Sequence, residues 1–321
     1  MLGGEANTTQ EMNGGGTMSE ERDKKELYYH VDGSLVPASK ATVSVRDRGF
    51  MYGDGAFETL RAYGGDVFKW DSHADRLDET CTILQLDHGL SRETLKQRID
   101  DTLDANNFTD AYVKLAITRG VQPGKLTPQP TSDPTVVVYV SSLPRGGKES
   151  TPVWDGPATL QTVKTKRIPN NALPARAKTH NYLNGILARL ELRVSDADEA
   201  VMIDQDGFIA EGATSNLFFV DDNALKTPSL EGPVLPGITR QTVIELAESE
   251  SIPVETGRYR PDDLRSADEV FVTNSTWEIR PVDRVDGISI GEAAGAGPVT
   301  TLLSILYDRQ VESQHYDTQT A

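Results

Sequence analysis

Four short segments carry side chains that could act together on a small molecule. Ala175-Arg176-Ala177-Lys178-Thr179-His180-Asn181-Tyr182-Leu183-Asn184 places a primary amine just ahead of a helical pattern. Glu211-Gly212-Ala213-Thr214-Ser215-Asn216-Leu217-Phe218-Phe219 sets a carboxylate before an apolar run. Leu235-Pro236-Gly237-Ile238-Thr239-Arg240 passes through Pro-Gly into a helix, whose free N–H groups and dipole suit an anion. Asn274-Ser275-Thr276-Trp277-Glu278-Ile279-Arg280-Pro281-Val282 adds two hydroxyls and an indole. An amine can condense with a carbonyl and carry a proton, and a helix start flanked by hydroxyls can hold a charged group. Each segment also has a plain reading. Lys178 alone is a solvated lysine slightly misplaced against a helix dipole, Glu211 an exposed turn residue, and Gly237 a turn before a helix. Only their occurrence together weighs against those readings.

The elements that must hold these residues alternate between strands and helices. Strands are expected at 27–31, before the Asp32-Gly33 turn, and at 56–61, before Gly64-Gly65. Asp71-Ser72-His73-Ala74-Asp75 looks like a capped helix start, with Leu77, Cys81 and Leu84 on one face. A second helix runs from Ser91 through Leu95, Ile99 and Leu103, and strands follow at 111–118 and 135–141. Beyond them, strands are expected at 159–164, 200–203, 216–220 and 270–273, and helices near 181–194, 239–250 and 299–311. Asp204-Gln205-Asp206-Gly207 reads as a hairpin turn, because a calcium loop needs more ligands and a closing Glu.

At 321 residues the chain can build two domains. Residues 1–24 lack an apolar period and read as a disordered tail, with Met18 as another candidate start. Breakers crowd the segment 144–152, which is expected to link an N-terminal α/β domain (25–143) to a C-terminal one (153–321) that carries Lys178. A net charge of −17 argues against nucleic acid or an anionic membrane as partner. It also suggests a halophilic source, because about 1 M salt shrinks the Debye length to roughly 3 Å; stability indifferent to salt would remove that idea. No apolar run reaches membrane-spanning length, and no leader pattern opens the chain, so a cytoplasmic location is expected. Cys81 is expected buried and reduced. The five histidines lack ligand spacing, and no metal site is expected.

The four segments, in this order, resemble the fold-type IV pyridoxal-phosphate enzymes, the class IV aminotransferase family. Branched-chain and D-amino-acid aminotransferases, (R)-selective amine transaminases and aminodeoxychorismate lyase belong to it. The resemblance extends to Arg48-Gly49-Phe50-Met51-Tyr52-Gly53-Asp54-Gly55-Ala56-Phe57-Glu58-Thr59 and to His73-Ala74-Asp75-Arg76-Leu77, covering 27–285. It implies a mixed α/β (α+β) fold of two domains with pyridoxal 5'-phosphate at their interface, and a homodimer. Lys178 would be the amine that bonds the cofactor and shuttles the alpha proton, and Glu211 the carboxylate on the ring nitrogen. Arg76, otherwise an exposed helix arginine, would join Ile238, Thr239, Ser275 and Thr276 around the phosphate. Tyr182 would bond the ring oxygen or simply pack its helix. Tyr52, Phe57, Tyr112 and Lys114 would border the substrate, with Trp277 nearby; without the resemblance such aromatics are more often core.

Branched-chain enzymes usually have an arginine where Lys114 stands, and D-amino-acid enzymes an Arg-x-His where this chain has Gly124-Lys125-Leu126. The Glu211–Phe219 wording and the Lys178-x-x-Asn181 spacing look nearer the lyase and D-amino-acid branches. The expected activity is ping-pong transamination between an amino acid, of branched-chain type, and a 2-oxo acid. Release of pyruvate and 4-aminobenzoate from 4-amino-4-deoxychorismate is the nearest alternative, and a non-catalytic pyridoxal-phosphate-binding protein the next.

Overall fold

The computed structural model describes residues 26–129, 133–143, 154–291 and 295–320. The expected tail and linker lie outside them. The first sheet is built from β1 (Tyr28–Val31), β2 (Ser34–Pro37), β3 (Gly55–Tyr63), β4 (Asp66–Val67), β5 (Ala111–Thr118) and β6 (Thr135–Ser141) in the order β2-β1-β6-β5-β3-β4. Its pairings are antiparallel. Alternation along β5 and β6 buries Val113, Leu115, Ile117, Val136, Val138 and Val140 on one face. Two helices, α2 (Trp70–Leu84) and α3 (Arg92–Asn106), cover that face with Leu77, Cys81, Leu95, Ile99 and Leu103. A short helix, α1 (Arg48–Tyr52), precedes β3 and ends on Gly53 in the left-handed region.

Ser91 caps α3, accepting from the Thr94 N–H. The capped start at Asp71 is corrected: α2 begins at Trp70, and Lys69 before it is left-handed with no side-chain cap. Asp71 instead sits in the first turn, where its charge favours the helix dipole. Cys81 is buried and free, and burial pushes its thiol up to about 12.

The second sheet runs β12-β11-β10-β13-β14-β7-β8-β9, with β15 (Ile288–Ser289) paired to β14. Its strands are β7 (Ala158–Thr162), β8 (Glu199–Ile203), β9 (Ile209–Gly212), β10 (Asn216–Asp221), β11 (Ala224–Pro228), β12 (Val254–Gly257), β13 (Glu269–Asn274) and β14 (Glu278–Val285). Both faces are covered. On one, α5 (Ile238–Ser249) and α7 (Pro298–Thr320) pack on Phe218 and Phe271, whose rings stack at 5.0 Å. The other buries Leu160, Val201, Leu217, Val272 and Val282, with Leu264 of α6 (Pro261–Arg265). Helix α4 (Leu183–Glu191) leans on β8. Tyr63 and Phe68 from the first half enter the core under α7, so the two sheets share packing. Strand β14 escaped the sequence reading because Pro281 argues against an inner strand; there it faces Phe271, just before the register against β7 shifts between Val282 and Arg284. Among the described residues no helix is long and apolar enough to cross a membrane.

Candidate active site

Between the two sheets lies a cavity of about 630 Å³. Lys178 reaches it from an extended stretch rather than a helix start, since α4 begins only at Leu183. That stretch is laid against the start of β3: Phe57 N–H donates to Lys178 O at 3.0 Å, and His180 N–H to Gly55 O at 3.0 Å. The Lys178 N–H donates to Thr80 Oγ1 of α2 at 3.1 Å. Two elements, β3 and α2, thus fix one backbone. The amine, Nζ, donates to Tyr182 Oη at 3.0 Å and lies 4.5 Å from the centre of the Phe57 ring. Phe57 and Tyr182 meet edge to face at 5.2 Å, which holds both rings around the amine.

Glu211, at the end of β9, is nearly buried and lines the same cavity. Both its oxygens are occupied: Arg167 Nε donates to Oε1 at 2.7 Å and Leu235 N–H to Oε2 at 2.8 Å. Arg167 is a site residue that the sequence reading missed. Its Nη1 also reaches Asn184 Oδ1 at 3.4 Å, which ties the carboxylate to α4. Nothing local marks Arg167 in the run Lys164-Thr165-Lys166-Arg167, for its partner is 44 residues away.

Arg76, Thr239, Ser275 and Thr276 all line the cavity wall, an arrangement that could receive an anion. Helix α5 starts at Ile238 behind Gly237, which offers no side-chain cap and leaves the first N–H groups unmet by the helix itself. A Cβ at Gly237 would overlap Asn216 Oδ1, so only glycine allows this approach. Arg76 is buried and doubly held by Glu58, through Nε at 2.9 Å and Nη2 at 2.6 Å, while Nη1 donates to Pro236 O at 2.9 Å. His73 Nδ1 sits 2.8 Å from Glu58 Oε2. Burial alone would raise the Glu58 carboxyl, but Arg76 and His73 outweigh it and pull it down from 4.5 to about 2.

A depressed carboxyl contributes stability that is complete above its ordinary value and is lost as pH falls toward the folded one. For Glu58 the shift corresponds to about 3 kcal/mol, present above pH 4.5 and gone near pH 2. Glu58→Gln should therefore melt well below the wild type at pH 7, with the gap narrowing below pH 4.5. Melting curves from pH 3 to 7 check this, and a gap constant across that range refutes it.

Tyr112 and Lys114 of β5 and Trp277 complete the wall. Lys114 Nζ lies 4.3 Å from the Phe57 ring centre. Burial and the neighbouring Lys178 push the Lys114 ammonium below the usual lysine range. Within the single chain Tyr52 does not line this cavity; it ends α1 beneath Arg48, whose guanidinium carbon is 5.0 Å from its ring centre. Every other residue expected at the site lines the cavity.

A phosphorylated pyridine aldehyde needs an amine, a carboxylate for a ring nitrogen and a cationic, N–H-rich cup. Lys178, Glu211, and the cup of Arg76 with the open start of α5 supply these on one cavity, and the donor set fits that group.

The amino-transferase class IV family profile matches residues 55–285. A Methanocaldococcus jannaschii protein carrying the name of a branched-chain-amino-acid aminotransferase is 39% identical over 258 residues, covering 80% of this chain and 88% of its own. The aminodeoxychorismate lyase of Bacillus subtilis is 32% identical over 290 residues, 90% of this chain and 96% of that protein. Among solved structures, the branched-chain amino acid aminotransferase from Thermobaculum terrenum in its PLP holo-form superposes with a TM-score of 0.80 at 26% identity, over 90% of this chain and 94% of that one. With the matched segment running from the strand that carries Phe57 to the one that follows Trp277, this chain belongs to the class IV aminotransferases.

Proposed function

We propose that the chain transfers an amino group between an amino acid, of branched-chain type, and a 2-oxo acid, using pyridoxal 5'-phosphate. The observation that carries this reading is the Lys178 amine, fixed by Thr80, Phe57 and Tyr182, in one cavity with a Glu211 carboxylate that is itself held at both oxygens. When bound, the cofactor supplies an aldehyde for the amine and a ring that accepts the electron pair left at the substrate's alpha carbon.

Lys178 Nζ, oriented by Tyr182 Oη, would take the substrate's alpha proton and return it. Glu211 would hold the ring nitrogen, and Arg167 keeps that carboxylate from turning. Arg76, Thr239, Ser275, Thr276 and the first N–H groups of α5 would hold the phosphate. Lys114 gives the substrate carboxylate a single charge to meet, without the two-pronged geometry of arginine.

The relation to aminodeoxychorismate lyase keeps pyruvate release from 4-amino-4-deoxychorismate as the second reading. A donor screen separates them. Leucine, isoleucine and valine should bleach the cofactor's aldehyde absorbance and need a 2-oxo acid, such as 2-oxoglutarate, for further turnover. Release of 4-aminobenzoate with no need for an oxo acid refutes transamination.

The division into domains 25–143 and 153–321 and a cytoplasmic homodimer belong to the same proposal. Leu183, Ile186, Leu187 and Leu190 make an exposed apolar stripe on α4, beside the cavity-lining Gly185. Such a stripe on a soluble enzyme calls for a covering surface, and a second copy supplies it.

A further inference from the structure

Ser275, Thr276 and Trp277 form the tip of the hairpin between β13 and β14, in which Asn274 pairs with Glu278. Asn274 Oδ1 accepts from the N–H groups of Thr276 at 3.0 Å and Trp277 at 2.6 Å, which shapes the tip. The residue that closes such a three-residue loop adopts the left-handed conformation, where glycine is the default. Here it is Glu278, with φ +59°. A side chain there strains the backbone, and such strain persists only where the surroundings fix it.

The surroundings are unusual. Glu278 is buried, and its Oε1 accepts from Arg61 Nη1 at 2.7 Å and from Tyr63 Oη at 2.6 Å. Both donors lie on β3, two residues apart and therefore on the face that also turns Phe57 and Thr59 to the cavity. Arg61 is itself fully buried, gripped by Asp110 through Nε and Nη2 at 3.2 Å each, and its guanidinium carbon lies 4.5 Å from the Tyr63 ring centre. On the other side of Tyr63, the Tyr307 hydroxyl of α7 reaches both Tyr63 and Thr239. One buried polar network thus runs behind two walls of the anion site: the hairpin tip with Ser275 and Thr276, and the first turn of α5 with Thr239.

The geometry points to Glu278 as a positioning residue for the cofactor's phosphate group: Arg61 and Tyr63 clasp its carboxylate, hold its backbone left-handed, and so set Ser275 and Thr276 opposite Thr239. The inference rests on the cofactor reading above. Glu278 does not touch the phosphate; it acts through the tip it closes. Glycine would satisfy the backbone better, so the glutamate is explained by its side-chain clasp.

The test compares pyridoxal 5'-phosphate with pyridoxal, which lacks only the phosphate, binding to the full-length chain stripped of cofactor and followed by absorbance. Glu278→Gly keeps the turn but frees the tip from β3. It should weaken pyridoxal 5'-phosphate binding by about 10-fold or more, as loss of an orienting outer partner does, and leave pyridoxal binding unchanged. Glu278→Gln, which keeps an acceptor for both donors, should recover most of the loss. Tyr63→Phe removes one donor without emptying the core and should cost about 5-fold, the worth of one hydrogen bond; should Glu278→Gly fail to fold, this variant decides. Equal losses for both ligands, or no loss for either, overturn the inference and leave a structural brace between the sheets. A wild-type chain that binds neither ligand overturns the cofactor reading, and the inference with it.

Discussion

Lys178→Ala should abolish turnover, by on the order of 10⁵-fold or about 7 kcal/mol of barrier, while leaving the fold intact. The large effect follows from the amine having two tasks, bonding the cofactor and moving the alpha proton, that no neighbour can take over. Tyr182 Oη, 3.0 Å away, is a phenol, and Lys114 sits across the Phe57 ring on another strand. The intact fold follows from the backbone. The contacts that fix residue 178 are its own N–H to Thr80 Oγ1 and its carbonyl from Phe57 N–H, and alanine keeps both. Wild-type protein should carry a yellow chromophore that borohydride fixes covalently to the peptide containing Lys178, and the variant should carry none. Cofactor still fixed to the variant by borohydride, with turnover within tenfold of wild type, would move the chemistry to another amine.

How much of this could be read without coordinates differs by residue type and reach. Lys178, Glu211 and Gly237 each stand inside a short run whose local order is itself informative. Their elements followed from local pattern as well: β5 and β6 alternate cleanly, and their ends match expectation residue for residue. The site's supports were not legible, because each depends on a partner far along the chain. Arg167 meets Glu211 across 44 residues, Arg76 meets Glu58 across 18, and Arg61 meets Glu278 across 217. A lone arginine gives no sign of which carboxylate it will face, and burial of that ion pair is decided by how the sheets pack. Tyr52 differs again. Its motif runs unbroken into β3, but α1 and the left-handed Gly53 turn the chain, so that within one chain the ring lies under Arg48 and does not line the cavity.

Glu211→Gln should lower turnover by about 10³-fold, near 4 kcal/mol, with little change in substrate KM. The substitution keeps size and leaves an oxygen for the Leu235 N–H, so packing changes little; what is lost is the negative charge that Arg167 now meets at 2.7 Å. If that charge serves to hold a protonated ring nitrogen, its removal weakens stabilisation that develops as the alpha proton leaves and is absent from the bound ground state, which places the loss in turnover rather than in binding. Arg167→Met separates orientation from charge. Glu211 then keeps its carboxylate and its Leu235 contact but can turn about the remaining bond, so a smaller loss, about 10-fold, is expected. The order of the two variants is the decisive reading. An Arg167→Met defect equal to or larger than that of Glu211→Gln, or a Glu211→Gln enzyme within threefold of wild type, would make the carboxylate a brace between β9, α4 and the 235–237 segment and remove it from the chemistry.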